Sequence, residues 1–171
     1  MLSKIYPRQL SSGAEAVVVA LSDTEAGKMY QSAPAAEAES QKLQFANDIN
    51  GLMVRILRTD VFENHAVLVL ERLYPLDFRS MEVEKRKNLL DVFVDELREL
   101  NEGGFVHGHL RREPGFMSDP WDNILLTEDG LRLIDAGRSV LRQDVPEATY
   151  DEALAAEALA LDAFREWFIA R

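Results

Sequence analysis

The 171-residue chain contains no cysteine, which removes disulfides and thiolate zinc sites as structural devices. It has no long apolar run either: the longest, residues 16–21, falls far short of the roughly 20 residues that a bilayer-spanning helix needs. Residues 1–10 hold no signal-peptide core, so a cytoplasmic setting is expected, with export lacking a cleaved signal left open. Positive charge is scarce, with 19 Lys and Arg against 30 Asp and Glu and a formal net charge of −11. Such a surface repels nucleic acid and anionic membrane, and neither is expected as a partner. A phosphate-bearing ligand would need local basic groups or a metal. Hydrophobic residues at 47% and charged residues at 29% are nevertheless ordinary for a chain with a real core. The length suits one domain, or two small lobes around a shared cleft.

The pattern of apolar residues changes period along the chain. Residues 16–21 are β-branched and alanine-rich, read as a strand, and can be answered by 27–31 across the turn at 22–25. Ser32 as cap and Pro34 in the first turn open a helix over 32–48. Runs at 52–57 and 66–70 complete an antiparallel sheet of about four or five strands, and Pro75 blocks simple continuation. His65, in the turn between those runs, has no neighbours at ligand spacing and reads as surface structure. From 81 to 101, Leu89, Leu90, Phe93, Val94, Leu97 and Leu100 recur at steps of three and four, giving one apolar helix face that ends at Gly103-Gly104. Residues 149–170 form a last amphipathic helix with Leu154, Ala158, Leu161, Phe164 and Phe168 on one side.

The chain is organised around residues 105–137. Two apolar runs, 123–127 and 131–137, flank Asp129-Gly130, a hairpin signal because glycine supplies the positive φ that the turn requires. Asn123 stands at the start of this hairpin and Asp135 at its end. Antiparallel pairing brings such ends side by side, so their oxygens can converge on one cation.

On these residues the stretch resembles the catalytic and metal-binding loops of protein-kinase-like phosphotransferases. Val106-His107-Gly108-His109-Leu110 stands for the catalytic-loop motif, Asn123 for its asparagine, and Asp135-Ala136-Gly137 for the metal-loop triplet. The glycine after His107 is similar to the small-molecule and lipopolysaccharide-core branches, and the trimmed helical part resembles minimal bacterial kinases and small effector kinases. The resemblance implies an α+β, bilobal fold: a small antiparallel-sheet N-lobe over 1–73 and a truncated helical C-lobe over 74–171, in a single domain. It implies ATP and Mg2+ or Mn2+ as cofactors, Lys28 as the phosphate-clamping lysine, and the backbone of residues 71–73, from Glu71 to Leu73, as the adenine contact. On residue type alone, Lys28 is equally a solvent-facing lysine. Glu37 and Glu39 both lie where a partner for Lys28 is wanted; they point about 200° apart on a helix, so at most one serves, and Glu39 is preferred.

Three departures from the pattern matter. His109 occupies the slot of the catalytic aspartate, about nine extra residues separate it from Asn123, and residues 11–16 keep one glycine where a phosphate-cradling loop uses several. An imidazole there brings no negative charge, so transfer should be severely weakened. Asp119 and Asp122 are the carboxylates that could substitute from a displaced loop. His107 reads as a structural residue holding that loop. Phe116, Met117 and Trp121 either face outward, offering residues 111–121 to a protein partner, or fold back over the hairpin. The activation segment of kinases that act on proteins has no counterpart. Three readings therefore stand: a degenerate, catalytically impaired pseudokinase, an active phosphotransferase with an unorthodox base, and a non-enzymatic interaction module.

Overall fold

The computed structural model describes residues 6–13, 15–113 and 119–170. Five antiparallel strands come first: β1 (Arg8–Ser12), β2 (Ala16–Ala20), β3 (Glu25–Tyr30), β4 (Ile56–Phe62) and β5 (His65–Glu71), in the order β1-β2-β3-β5-β4. The interior strand β5 buries Val67, Leu68, Val69 and Leu70 in succession, as expected of a strand covered on both sides. Helix α1 (Ala33–Ile49) interrupts the sheet between β3 and β4. Ser32 Oγ caps it by accepting from the Ala35 amide at 3.4 Å, and Pro34 sits in the first turn. Its buried face is Ala36, Glu39, Ser40, Leu43 and Ala46, so one carboxylate is carried into the interior on an otherwise small and apolar stripe.

β4 begins later than the apolar run at 52–57 predicts and continues beyond it through Thr59 and Asp60. The reason is its place at the sheet edge. An edge strand exposed along nearly its whole length has no face that must be apolar, so hydrophobic alternation does not mark it. Residues 52–54, expected to belong to this strand, are fully buried elsewhere. The Val54 amide donates to the Leu133 carbonyl at 2.7 Å and the Leu133 amide to the Leu52 carbonyl at 2.8 Å, tying the sheet half to the hairpin below it.

The second half is built on α2 (Val83–Glu102), whose Leu90, Phe93, Leu97 and Leu100 are buried and which Gly104 at φ +99° terminates. Two strands, β6 (Phe105–Val106) and β9 (Val140–Leu141), pair with each other rather than with the hairpin. The hairpin itself, β7 (Ile124–Thr127) and β8 (Gly130–Leu133), turns at Asp129-Gly130 with Gly130 at φ +106°. A short 3-10 turn (Arg142–Asp144) leads to α3 (Glu147–Ala170). Trp121 folds back onto α3, 4% exposed, its ring 5.2 Å edge-on from Phe164 and 6.2 Å from Trp167. Burying about 200 Å² of indole contributes up to roughly 5 kcal/mol, so this anchor fixes the last part of the excursion. Phe116 and Met117 lie outside the described residues. Among the described residues no helix is long and apolar enough to cross a membrane.

Candidate functional site

A cleft of about 620 Å³ lies between the sheet and the hairpin. Its upper wall comes from β1, β2 and the loop joining them, through Leu10, Ser11, Ser12, Gly13, Ala16 and Val18. Val54, Leu70, Leu73, Leu125 and Ile134 add further apolar lining. Of the nine residues singled out from sequence, Lys28, Glu39, Glu71, Leu73, His109 and Asp135 line this cleft. Asn123 is fully buried beside it, while Asp119 and Asp122 are not part of the lining.

At one end of the cleft Lys28 joins three elements. Its Nζ donates to both oxygens of Glu39 at 2.9 Å and to Asp135 Oδ1 at 3.2 Å. Strand β3, helix α1 and the segment after β8 thus meet at one ammonium. Glu37, two residues from Glu39, faces solvent and accepts from Gln41 instead. Glu39 Oε1 also accepts from the Ala136 amide at 3.2 Å, and Lys42 Nζ donates to the Gly137 carbonyl at 3.1 Å, so α1 grips the Asp135-Ala136-Gly137 turn from two sites. Burial pushes the Glu39 carboxyl upward against the pull of Lys28. Burial acts the same way on Asp135, but Lys28 and the Gly137 amide outweigh it and hold that carboxyl below its ordinary range. Asp135 is therefore the charged acid at the floor. It reaches that place through φ +66°, a left-handed conformation uncommon outside glycine and found where geometry is imposed for function.

The other end is organised by two histidines. His107 is fully buried; its Nε2–H donates to the Ile134 carbonyl at 2.9 Å, and its Nδ1 accepts from the His109 amide at 3.3 Å. Burial lowers its pKa to about 4, so it is a neutral strut. Gly108 turns the chain at φ +74°, and its missing side chain matters: a Cβ there would lie 2.6 Å from the Arg138 carbonyl oxygen. Ser139 Oγ closes the same contact by donating to the His107 carbonyl at 3.0 Å. Beneath, Glu157 of α3 is 4% exposed and accepts from Asn101 Nδ2 and from the Gly108 amide, both at 2.9 Å. Burial raises its carboxyl above the ordinary range. Ala158, expected on this face, points outward, and Glu157 takes the inward position. Its spacing, three after Leu154 and four before Leu161, carried that signal.

Asn123 is anchored by its neighbours. Its carbonyl accepts from the Ile134 amide at 3.0 Å, placing it next to the strand that delivers Asp135. Its Nδ2 donates to the His109 carbonyl at 2.8 Å and faces His109 Nδ1 at 3.4 Å. Oδ1 is left buried without a hydrogen-bond donor. An orphaned buried acceptor costs about 1–3 kcal/mol, and a cation is one way to answer it. No cluster of three or more His, Asp or Glu among the described residues could hold a metal alone. Two protein oxygens, Asn123 Oδ1 and an Asp135 carboxylate oxygen, nevertheless suit Mg2+, which keeps water and substrate phosphate in the rest of its shell.

The remaining predicted residues have structural partners. Glu71 accepts from the Arg55 amide at 2.9 Å and pairs with Arg132, so its carboxylate is committed, and its own amide donates to the Arg55 carbonyl at 2.9 Å. Asp119 Oδ1 accepts from the Trp121 amide at 2.9 Å in a local turn. Asp122 lies 3.6 Å from an Arg112 guanidinium nitrogen, and burial raises its carboxyl. Neither lines the cleft beside His109. Two basic residues that sequence reasoning passed over, Arg112 and Arg138, do line the cleft beside His109.

No protein-family model matches the chain, and no curated protein matches it. Solved structures do. The chain superposes on the Legionella pneumophila Lpg2603 kinase bound to IP6 with a TM-score of 0.67 at 15% identity, covering 95% of this chain and 58% of that one. The BubR1 kinase domain gives 0.60 at 18% identity, over 82% and 48%. The Cydia pomonella granulovirus kinase PK-1 gives 0.58 at 14%, over 78% and 51%. The chain thus spans about half to three-fifths of the length of these structures, and its architecture is a protein-kinase-like, α+β fold with a sheet-built N-lobe and a shortened helical C-lobe.

Proposed function

We propose that this chain is a minimal kinase-like protein, lobes meeting near residue 73, whose cleft binds ATP with Mg2+ or Mn2+ and whose catalytic loop is impaired for phosphoryl transfer. The observation that carries this reading is the Lys28 clamp. A lysine bridging a buried glutamate and the floor aspartate could exchange one carboxylate oxygen for phosphate, and the cleft of about 620 Å³ that it lines supports this reading. The backbone of residues 71–73 would take the adenine edge and the apolar lining its ring faces. The bound cation would neutralise phosphate charge. Asn123 and Asp135 would orient it, Glu39 would hold Lys28 in place, and the Gly137 amide would keep Asp135 ionised.

Impairment follows from the other end. Asn123 Nδ2 directs its proton at His109 Nδ1, which assigns the ring proton to Nε2. The free edge of His109 is then a donor, unable to receive a proton from an acceptor hydroxyl. Asp119 and Asp122 are committed elsewhere, so neither of these carboxylates takes up the task.

Thermal denaturation with ATP and Mg2+ or Mn2+ tests this. At ten times Kd, mass action stabilises the native state by about 1.4 kcal/mol, roughly 3–6 °C for a chain of this size. Asp135→Ala should abolish the shift. A shift surviving that change removes the metal role, and brisk phosphate transfer by the unaltered protein removes the impairment.

A further inference from the structure

The catalytic-loop end of the cleft carries charge that the nucleotide reading does not use. Arg138 follows the metal-loop turn, lines the cleft and is exposed, and among the described residues it has no ion-pair partner. Its position is nevertheless fixed, because its own carbonyl fills the space left by Gly108 and the next residue, Ser139, bonds the His107 carbonyl. Arg112 lines the same end; its amide donates to the Pro120 carbonyl at 2.7 Å, its guanidinium stands 3.6 Å from Asp122, and its Nε is buried without an acceptor. His109 lines the same part of the cleft, and the charges of Arg138 and Arg112 both act on its ring. Asp135, another acid lining the cleft, is already shared by Lys28 and the Gly137 amide.

Two guanidiniums and an imidazole thus line this part of the cleft, with Asp122 paired to Arg112 and, among the described residues, no carboxylate paired to Arg138, in a chain of net charge −11. Unanswered donors in a cleft call for an oxyanion, and guanidinium is the group whose fork matches phosphate. We propose that Arg138, Arg112 and His109 form an anion subsite that takes the phosphate monoester of a second ligand, bound beside the nucleotide. The slot that holds a base in other kinase-like proteins is here a phosphate receptor. This stands on the geometry of the loop and goes beyond the nucleotide reading, so the two can fail separately.

Glycerol 3-phosphate is the probe, with glycerol and KCl at matched concentration and ionic strength as controls, read as the melting temperature with and without saturating Mg2+ and a non-hydrolysable ATP analogue. A saturable rise of about 3 °C or more is expected in both arms. Arg138→Gln, an exposed substitution, should remove it while leaving the nucleotide shift intact; Arg112→Gln should reduce it, and Arg138→Lys should restore it in part. Absence of any rise over the controls overturns the subsite. So does a rise unchanged in Arg138→Gln, or one that vanishes when the nucleotide analogue saturates, since the nucleotide's own phosphates then occupy the position. A phosphate rise without a nucleotide shift supports the subsite and sinks the nucleotide reading alone.

Discussion

The two ends of the cleft are built to opposite rules. At the Lys28 end every charge is answered: one ammonium holds two carboxylates, and backbone amides of Ala136 and Gly137 complete them. At the His109 end donors are left over, with Arg138 unpaired among the described residues and Arg112 Nε buried without an acceptor. The contrast teaches that positioning and turnover are separable parts of a kinase-like cleft. On the proposed reading, ligand-holding geometry would persist without the proton acceptor, because phosphoryl transfer asks the protein mainly for position and charge, and residues other than the base supply these.

Breaking the first end should have the largest effect. Lys28→Met leaves Glu39, 3% exposed, without its cation, and should cost about 3 kcal/mol in denaturant unfolding while eliminating any nucleotide shift. An equal loss for Lys28→Met and for Lys28→Met/Glu39→Gln would mean the buried carboxylate is not what the lysine serves.

The second end is sharpened by pH. His107 titrates near 4 in the fold against about 6.5 when unfolded, so its contribution is fully present above pH 6.5 and is lost as pH falls towards 4. Up to about 3 kcal/mol should go over that window. The raised carboxyls of Glu39 and Glu157 oppose this, since they favour folding as pH falls, so the clean readout is a difference. Stability of the unaltered chain minus that of His107→Gln should decline from pH 7 to pH 4; a flat difference would show that the imidazole is not held neutral.

Gly108→Ala is next in size. Positive φ and a 2.6 Å approach to the Arg138 carbonyl should cost about 2 kcal/mol and displace Arg138, weakening glycerol 3-phosphate stabilisation more than nucleotide stabilisation. Equal weakening of both would erase the distinction between the two ends. The smallest effect is expected from Glu37→Gln, which faces solvent and should change stability by less than about 0.5 kcal/mol, in contrast to Glu39→Gln.

Much of this frame was legible from residue order. Asp129-Gly130 announced the hairpin because few dipeptides adopt such a turn, and with it came the adjacency of Asn123 and the strand before Asp135. The helical period showed that only one of Glu37 and Glu39 could meet Lys28 and preferred Glu39; the burial of Glu39 on the inner face of α1 decides it. What stayed hidden depends on contacts between distant parts. β4 could not be bounded, since its exposed edge imposes no alternation. Residues 52–54 looked like sheet and instead bond Leu133, a choice made by tertiary packing. Arg138 carried no local sign of its place in the cleft, because the empty space at Gly108 that fixes it lies 30 residues earlier in the chain.

The central claim is that the cleft holds a nucleotide through Asp135 and does so without needing His109. Calorimetric titration of Mg2+-ATP tests it most directly. The account predicts one-to-one binding to the unaltered protein, its loss in Asp135→Ala and its retention in His109→Ala. Binding that survives Asp135→Ala, or that is absent from the unaltered protein, contradicts it.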